Sequence, residues 1–190
     1  MAAKFPFRPA GLLAALLLAA ACGTDTRYAV PAVDTPTERV PSAFASLEVV
    51  EVTLPTYAAS EDIYLQDAGG GLEPLGPLWA DDPARAVTLQ LSRDLQRITG
   101  ALVAPDPWPF RDFPAARLDV RLEEFVATAS GGFLIAGQYF VAPEEGGGDA
   151  AGRFAIEVPL AERESAAAIA TARSAAVTRL ATEIARAGLR

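Results

Sequence analysis

Two stretches decide the fold, LDVRLEE at residues 118–124 and FLIAGQYFVA at residues 133–142. In the first, Leu118, Val120 and Leu122 alternate with charged residues, which is typical of a strand with one buried and one solvated face. The second has bulky residues on both faces, which favours a central strand with neighbours on both sides. The two stretches therefore predict the main strands of a β-sheet.

The chain after these strands predicts a hairpin and a long helix. Residues 144–152 form a glycine-rich turn, and the alternating Phe154, Ile156 and Val158 predict the returning strand. A helix is predicted from about Glu162 to Ala187, with Gly188 closing it. Its apolar residues recur at intervals of three and four, which predicts one buried stripe made of Ile169, Ala172, Ala176, Leu180, Ile184 and Ala187.

A second helix is predicted before these strands, starting at Pro83. Asp81 and Asp82 precede it and can accept the free amide hydrogens of its first turn, and proline fits the first helical position. Gly100 is the expected stop. The buried stripe is predicted to consist of Ala84, Val87, Leu91, Leu95 and Ile98. Trp79, just before this helix, is expected in the core.

The rest of the body predicts short strands. They are expected at residues 47–54 and 101–104, and in a hairpin that joins residues 63–65 to 72–75 through a turn at 67–71. The order strands, helix, strands, helix predicts an α+β fold. We expect a two-layer sandwich, with a mixed β-sheet and two main helices packed on one face.

The N-terminal residues predict export and lipid attachment. Residues 1–21 have a basic start, an apolar core too short to span a bilayer and small residues at the end, which indicates a signal peptide. Residues 18–22 (LAAAC) resemble a lipobox, so cleavage is expected between Ala21 and Cys22, with the lipid on Cys22. The alternatives are a plain signal peptide that happens to contain Cys22, or a buried core cysteine.

The exported part is predicted to contain a tether and one domain. Residues 22–43 are rich in Pro, Thr and charge and predict a lipidated N-terminus and tether, with Tyr28–Val30 as a short strand candidate. Residues 44–190 predict a single domain. Removing residues 1–21 takes the formal net charge from −8 to −10, which argues against nucleic acid and against electrostatic docking to anionic lipid.

The composition excludes several kinds of active site. The chain has no histidine, and no lysine follows Lys4, so Ser-His-Asp and Ser-Lys catalysis and His-ligated zinc are excluded. Cys22 is the only cysteine and is expected to carry lipid. We expect no catalytic residues, no metal and no cofactor.

Several groups could imitate a catalytic or binding site. Asp81–Asp82 could bind metal, although helix capping explains the pair, and Glu123–Glu124 should point to opposite faces of a strand. The triple glycines at 69–71 and 146–148 are expected to be turns, since neither precedes a phosphate-binding Lys and Ser or Thr. Ser165 is expected in the first helical turn.

The aromatic residues Trp108, Phe110 and Phe113 lie among prolines in an irregular segment. Such side chains in a loop either anchor a partner protein or acyl chain, or plug the end of the core. We treat the three residues as candidate partner contacts and leave both interpretations open.

The order of these features resembles the PqiC family of ABC-type transport auxiliary lipoproteins. The resemblance rests on the lipobox, the strand ending Leu54-Pro55, Trp79 opening a helix, Pro107-Trp108 and the alanine-rich last helix, and it covers most of the exported chain. Two departures are Asp81-Asp82-Pro83, where the family has Glu and then Leu, and Tyr139, where Trp is common.

The resemblance implies a non-enzymatic outer-membrane lipoprotein of an MCE-type intermembrane lipid transport system. Its implied partners are a periplasmic MCE-domain channel protein and an integral membrane transport subunit, and members are expected to form homo-oligomeric rings. Gly23 is compatible with outer-membrane sorting, because it is not the Asp that retains many lipoproteins in the inner membrane. The alternative is a stand-alone lipid-binding or envelope-assembly lipoprotein with an acyl-chain pocket.

Overall fold

The computed structural model of the chain describes residues 25–33 and 39–190. The described elements, in chain order, are β1 (Arg27–Tyr28), β2 (Ser46–Val49), β3 (Asp62–Gln66), β4 (Leu72–Trp79), α1 (Pro83–Thr99), β5 (Leu102–Pro105), β6 (Ala116–Ala127), β7 (Gly132–Pro143), β8 (Ala150–Pro159) and α2 (Ala166–Ala187). A 3-10 turn at Thr56–Ala58 precedes β3.

Strand β6 organises a mixed sheet. One edge of β6 pairs antiparallel with β7 along the whole strand, and β7 pairs antiparallel with β8. The other edge is shared, since β2 pairs with its beginning and β3 with its end, both parallel. Beyond β2 lies β5, and beyond β3 lie β4 and β1. The residues that predicted the main strands thus form the middle of the sheet, and β7 has neighbours on both sides.

The two helices pack against each other and against the sheet. Helix α1 contacts β5 and β2, while α2 contacts β7 and β8. Fully buried residues of both predicted stripes, including Leu91, Leu95, Leu180 and Ile184, join the inward-facing residues of β6 and β7 in one core. This confirms the predicted α+β fold, with a mixed sheet and two helices. Within the described residues no helix is long and apolar enough to cross a membrane.

The start and end of α1 follow the predicted cap chemistry. Asp82 is the N-cap, and its Oδ1 accepts a hydrogen bond from the amide of Arg85 at 2.8 Å. Asp81 instead pairs with the Arg85 guanidinium. At the other end, Gly100 takes the left-handed conformation with φ 76° and donates its amide hydrogen to the Gln96 carbonyl.

Replacing Asp82 with alanine should lower the free energy of unfolding by ~0.5–2 kcal/mol, because the first turn of α1 loses its side-chain acceptor. Asp81→Ala is the matched control. It removes an exposed ion pair with Arg85 and an exposed hydrogen bond from the amide of Asp82, so we expect a change of ~0–1 kcal/mol. Urea unfolding of the two variants measures the difference, and equal losses would contradict the assignment of Asp82 as the cap.

Helix α2 starts later than predicted. Its first residue is Ala166, and Ser165 is the N-cap, whose Oγ accepts from the amide of Ala168. The predicted start near Glu162 and the placement of Ser165 inside the first turn were therefore wrong by a few residues. The physical reason is that a serine hydroxyl satisfies a free amide best from the cap position, where it stops the helix from extending backwards.

A polar cluster lies between the helices. The side-chain amide of Gln90 donates to the Ser174 carbonyl at 2.8 Å, and the Thr178 hydroxyl donates to Asp94 Oδ2 at 2.7 Å. All four residues are buried. Because these groups need partners at fixed positions, they determine how α1 and α2 align along their contact.

Strand β2 is shorter than the predicted 47–54. It ends at Val49, and the chain continues irregularly beside β6, with an isolated bridge between Thr53 and Arg121. The amide of Val52 is bonded to the Thr88 hydroxyl of α1 rather than to a neighbouring strand. A contact with the helix therefore interrupts a sequence whose valines favour a longer strand.

The predicted tether contributes to the sheet. Its residues Arg27 and Tyr28 form β1, which pairs parallel with the end of β4, close to the predicted Tyr28–Val30. Arg27 also forms a 2.6 Å ion pair with Glu61. Only the residues before β1 can therefore separate Cys22 from the folded body.

Candidate interaction surface

A loop at residues 106–115 crosses the sheet between β5 and β6. These two strands flank β2 and all three run parallel, so the chain must return across β2 to start β6. Two hydrogen bonds fix the loop to β2. The amide of Trp108 donates to Glu48 Oε1 at 3.1 Å, and the amide of Ala115 donates to Ser46 Oγ at 2.9 Å.

Glu48 is the central attachment point of this loop. It is 1% exposed although it carries a carboxylate, and its Oε2 lies 2.6 Å from Nε of Arg117 on β6. The ion pair with Arg117 and the hydrogen bond from Trp108 offset part of the cost of burying the carboxylate, although Oε2 accepts no hydrogen bond. Sequence analysis missed Glu48. The available signal was a lone charge inside the apolar run of β2.

The three candidate aromatic residues have different surroundings. Trp108 is half-buried, with its indole Nε1 donating to the Asp112 carbonyl at 2.6 Å and its ring edge-to-face with Phe110 at 5.0 Å. Phe110 is 46% exposed and Phe113 is 87% exposed. Leu102, on the neighbouring edge strand β5, is 43% exposed. We call Leu102, Phe110 and Phe113 the aromatic patch.

The carboxylate pairs do not form a catalytic or metal-binding arrangement. Asp81 and Asp82 serve the first turn of α1, as described above. Glu123 accepts from Gln138 at 2.8 Å, whereas Glu124 accepts from the Tyr57 hydroxyl at 3.3 Å. Across residues 25–33 and 39–190, no three acidic or thiol side chains are grouped so that they could hold a metal ion.

Both triple-glycine stretches lie in turns between strands, as predicted. The first joins β3 to β4, where Asp67 Oδ1 accepts from the amides of Gly69 and Gly71, both at 2.7 Å. The second lies between β7 and β8. Ala21 and Cys22, the predicted cleavage and lipid-attachment residues, lie outside the residues that the structure describes.

Known proteins with the same fold were found among solved structures. An uncharacterized protein superposes with a TM-score of 0.70 at 17% identity, covering 86% of this chain and 98% of the other. XCC0632 from Xanthomonas campestris, assigned to DUF330, superposes with a TM-score of 0.68 at 19% identity, covering 84% and 92% of the two chains. At these identities the likeness shows the fold. No curated protein sequence matched.

The sequence itself matches one family model over most of its length. The match spans residues 28–185 and therefore starts within β1 and ends within α2. The family is described as the ABC-type transport auxiliary lipoprotein component, in agreement with the predicted PqiC-like resemblance. The chain belongs to this family of ABC-type transport auxiliary lipoproteins.

Proposed function

We propose that this chain is a non-enzymatic outer-membrane lipoprotein subunit of an MCE-type intermembrane lipid transport system, docking on or capping the periplasmic MCE channel. The observation that carries the proposal is the aromatic patch. A member of a transport auxiliary family presents two exposed phenylalanines on a loop that is fixed to the sheet, beside the exposed Leu102 of β5. The integral membrane subunit of the same system is the second expected partner.

The aromatic patch has the properties of a protein-binding anchor. Aromatic side chains bury a large area at little cost in conformational entropy. The bonds from Trp108 and Ala115 to β2 hold the loop before any partner arrives, so little ordering is needed on binding. Exposing such apolar side chains to water without a partner is unfavourable, which supports a docking role.

The proposed anchor holds the body close to the membrane. Strand β1 starts five residues after Cys22, and a chain of five residues spans at most ~18 Å. A formal charge of −10 for the exported part gives no attraction to anionic lipid, so the acyl chains supply the membrane affinity.

Membrane anchoring also favours the proposed homo-oligomeric ring. Tethering confines all copies to one plane and raises their effective concentration for lateral contact. A repeated head-to-tail interface whose rotation closes then gives a ring. Light scattering on the lipidated protein in detergent tests this part, and a strictly monomeric protein at high concentration would contradict it.

Cys22→Ser should abolish membrane attachment, since the cysteine sulfur is the atom that accepts diacylglycerol. We expect an unprocessed or soluble protein without acyl mass, measured by fractionation and intact-mass spectrometry. Gly23→Ala serves as the matched control and should remain lipidated. Mature Cys22→Ser protein in the membrane fraction would exclude Cys22 as the anchor.

The docking proposal predicts that Phe113→Asp weakens capture of an MCE-domain protein from the same organism by at least about tenfold, because a charge then lies within the aromatic patch. Leu72→Asp is the control, since Leu72 is also an exposed apolar residue but lies in the β3–β4 hairpin, outside the patch. Equal capture by both variants would reject the patch as the docking surface.

The competing role, a stand-alone lipid carrier, requires a pocket for acyl chains. The cleft between residues 28–31 and α1 has a volume of about 240 Å³. This is below the ~300–1,000 Å³ of pockets for drug-sized ligands. This cleft is therefore too small to hold a whole lipid.

A further inference from the structure

Arg173 of α2 is a buried cation that neither the fold nor the proposed docking explains. Its side chain is 1% exposed, and its guanidinium lies 4.6 Å from the ring centre of Trp79 and 5.2 Å from that of Phe125. Its Nη2 donates to the Pro83 carbonyl over 3.3 Å, and its Nε has no hydrogen-bond partner.

Burial of this guanidinium is costly. The group carries five N–H donors, and the one long bond to Pro83 leaves most of them unused. Desolvation lowers the pKa of Arg173 to about 10, although the charges of Asp81 and Asp82 oppose this decrease. At neutral pH the side chain therefore stays positively charged. An apolar side chain of similar volume would fill the space at lower cost.

A cleft of about 240 Å³ lies directly beside Arg173, which forms part of its wall. The other walls are residues 28–31 of the N-terminal segment, the turn from Trp79 to Asp81, and one face of α1 that includes Ala86 and Leu89. Arg93 lies at the exposed rim. Asp81 itself lines the cleft, but its carboxylate is already paired with Arg85.

We propose that this cleft binds the phosphate of a phospholipid headgroup, with Arg173 as its anion-binding residue. Guanidinium binds phosphate oxygens through parallel N–H donors, and Arg173 has donors to spare. The apolar side chains of Trp79 and Leu89 suit the glycerol carbons next to the phosphate. The volume admits a headgroup, while the acyl chains stay outside.

The position of the cleft supports a lipid as the source of this phosphate. Its wall at Tyr28 belongs to β1, which starts five residues after Cys22. A lipid anchor on Cys22 therefore holds the cleft within roughly 20 Å of the membrane surface. The choice of a lipid as the source of the phosphate rests on the proposed lipoprotein function. Free inorganic phosphate has the same chemistry and is the alternative source.

Trp79 provides a direct signal for occupancy. The chain has two tryptophans, so Trp108→Phe leaves Trp79, which lines the cleft, as the only one. The lipidated Trp108→Phe protein in neutral detergent is titrated separately with short-chain phosphatidylglycerol, inorganic phosphate and short-chain diacylglycerol. We expect a saturable change of emission with phosphatidylglycerol, a weaker one with phosphate and none with diacylglycerol.

Two substitutions test the assignment of Arg173. Arg173→Met should weaken phosphatidylglycerol binding at least about tenfold and keep the fold, since methionine fills the same apolar space. Arg179→Met, on the same helix but exposed, is the matched control and should bind normally. Ala86→Phe narrows the cleft from α1 and leaves the Arg173 side chain present, and it should also abolish binding while the protein remains folded by circular dichroism.

Two results would overturn the proposal, and a third would reject a lipid as the source of the phosphate. Unchanged binding in Arg173→Met, or no saturable binding of phosphatidylglycerol, would overturn the proposal. Equal affinity for inorganic phosphate and phosphatidylglycerol would reject the lipid as the source. The assay contains no partner protein, so its failure is distinct from a failure of docking, and Arg173→Met should still capture the MCE-domain protein.

Discussion

Gly137→Ala is expected to destabilise the domain by about 3 kcal/mol or more. A Cβ at this position would lie 2.1 Å from the carbonyl oxygen of Arg121, a backbone atom of the neighbouring strand β6. No side-chain rotation can relieve this clash, so β6 and β7 must separate where they form the middle of the sheet. Urea unfolding measures the loss.

The close approach at Gly137 accompanies a break in strand register. Leu122 pairs with Gly137 but Glu124 pairs with Ala136, so Glu123 is an extra residue in β6. Relieving the clash by removing this bulge would shift the pairing by one residue and turn inward-facing side chains outward.

Gly148→Ala is the matched control for Gly137→Ala. It lies in the β7–β8 turn, where an added Cβ meets no atom within 4 Å. We expect a change within ~0.5 kcal/mol. An unfolding curve for Gly137→Ala that coincides with that of Gly148→Ala would show that the β6–β7 contact is less close than the structure places it.

Phe133→Ala should cost ~3–5 kcal/mol. Phe133 is 1% exposed and packs edge-to-face on Phe125 with 5.1 Å between ring centres. Its removal leaves a cavity in the core at the start of β7. Because small domains are stable by only ~5–15 kcal/mol, this single change should remove a large part of the stability.

Phe113→Ala is the matched control, since the same side chain is removed from a position that is 87% exposed. We expect its unfolding free energy to stay within ~0.5 kcal/mol of the parent protein. The stability of Phe113→Ala also tests the docking proposal. A Phe113 that adds nothing to stability is available for a partner, whereas a large loss for Phe113→Ala would make it a structural residue.

The sequence predicted those features that depend on neighbours within a few residues. Alternation identified β6 and β8, and apolar spacing of three and four residues identified both helices. The caps Asp82 and Gly100 were identifiable because cap chemistry acts within a single helical turn. The start of α2 was misplaced because both Glu162 and Ser165 are acceptable near a helix start, and only the geometry selects one.

Part of the candidate surface was also visible in the sequence. The apolar residues among prolines at 108–113 pointed to a loop with accessible aromatic side chains, although the sequence left a core plug equally open. The exposure of Phe113 and the attachment of the loop to Glu48 depend on the path across β2. That path follows from the parallel order of three strands, which no local pattern encodes.

By itself, the sequence determined the fold class, the two helices with their buried faces, the main strands and the absence of histidine chemistry, since these follow from periodicity and composition. Only the tertiary structure decided that β2 and β3 share one edge of β6, that the N-terminal segment joins the sheet at β1, and that Arg173 is buried beside an open cleft. These features join residues far apart in the chain. They depend on which surfaces pack against each other, and this packing forms only when the whole core assembles.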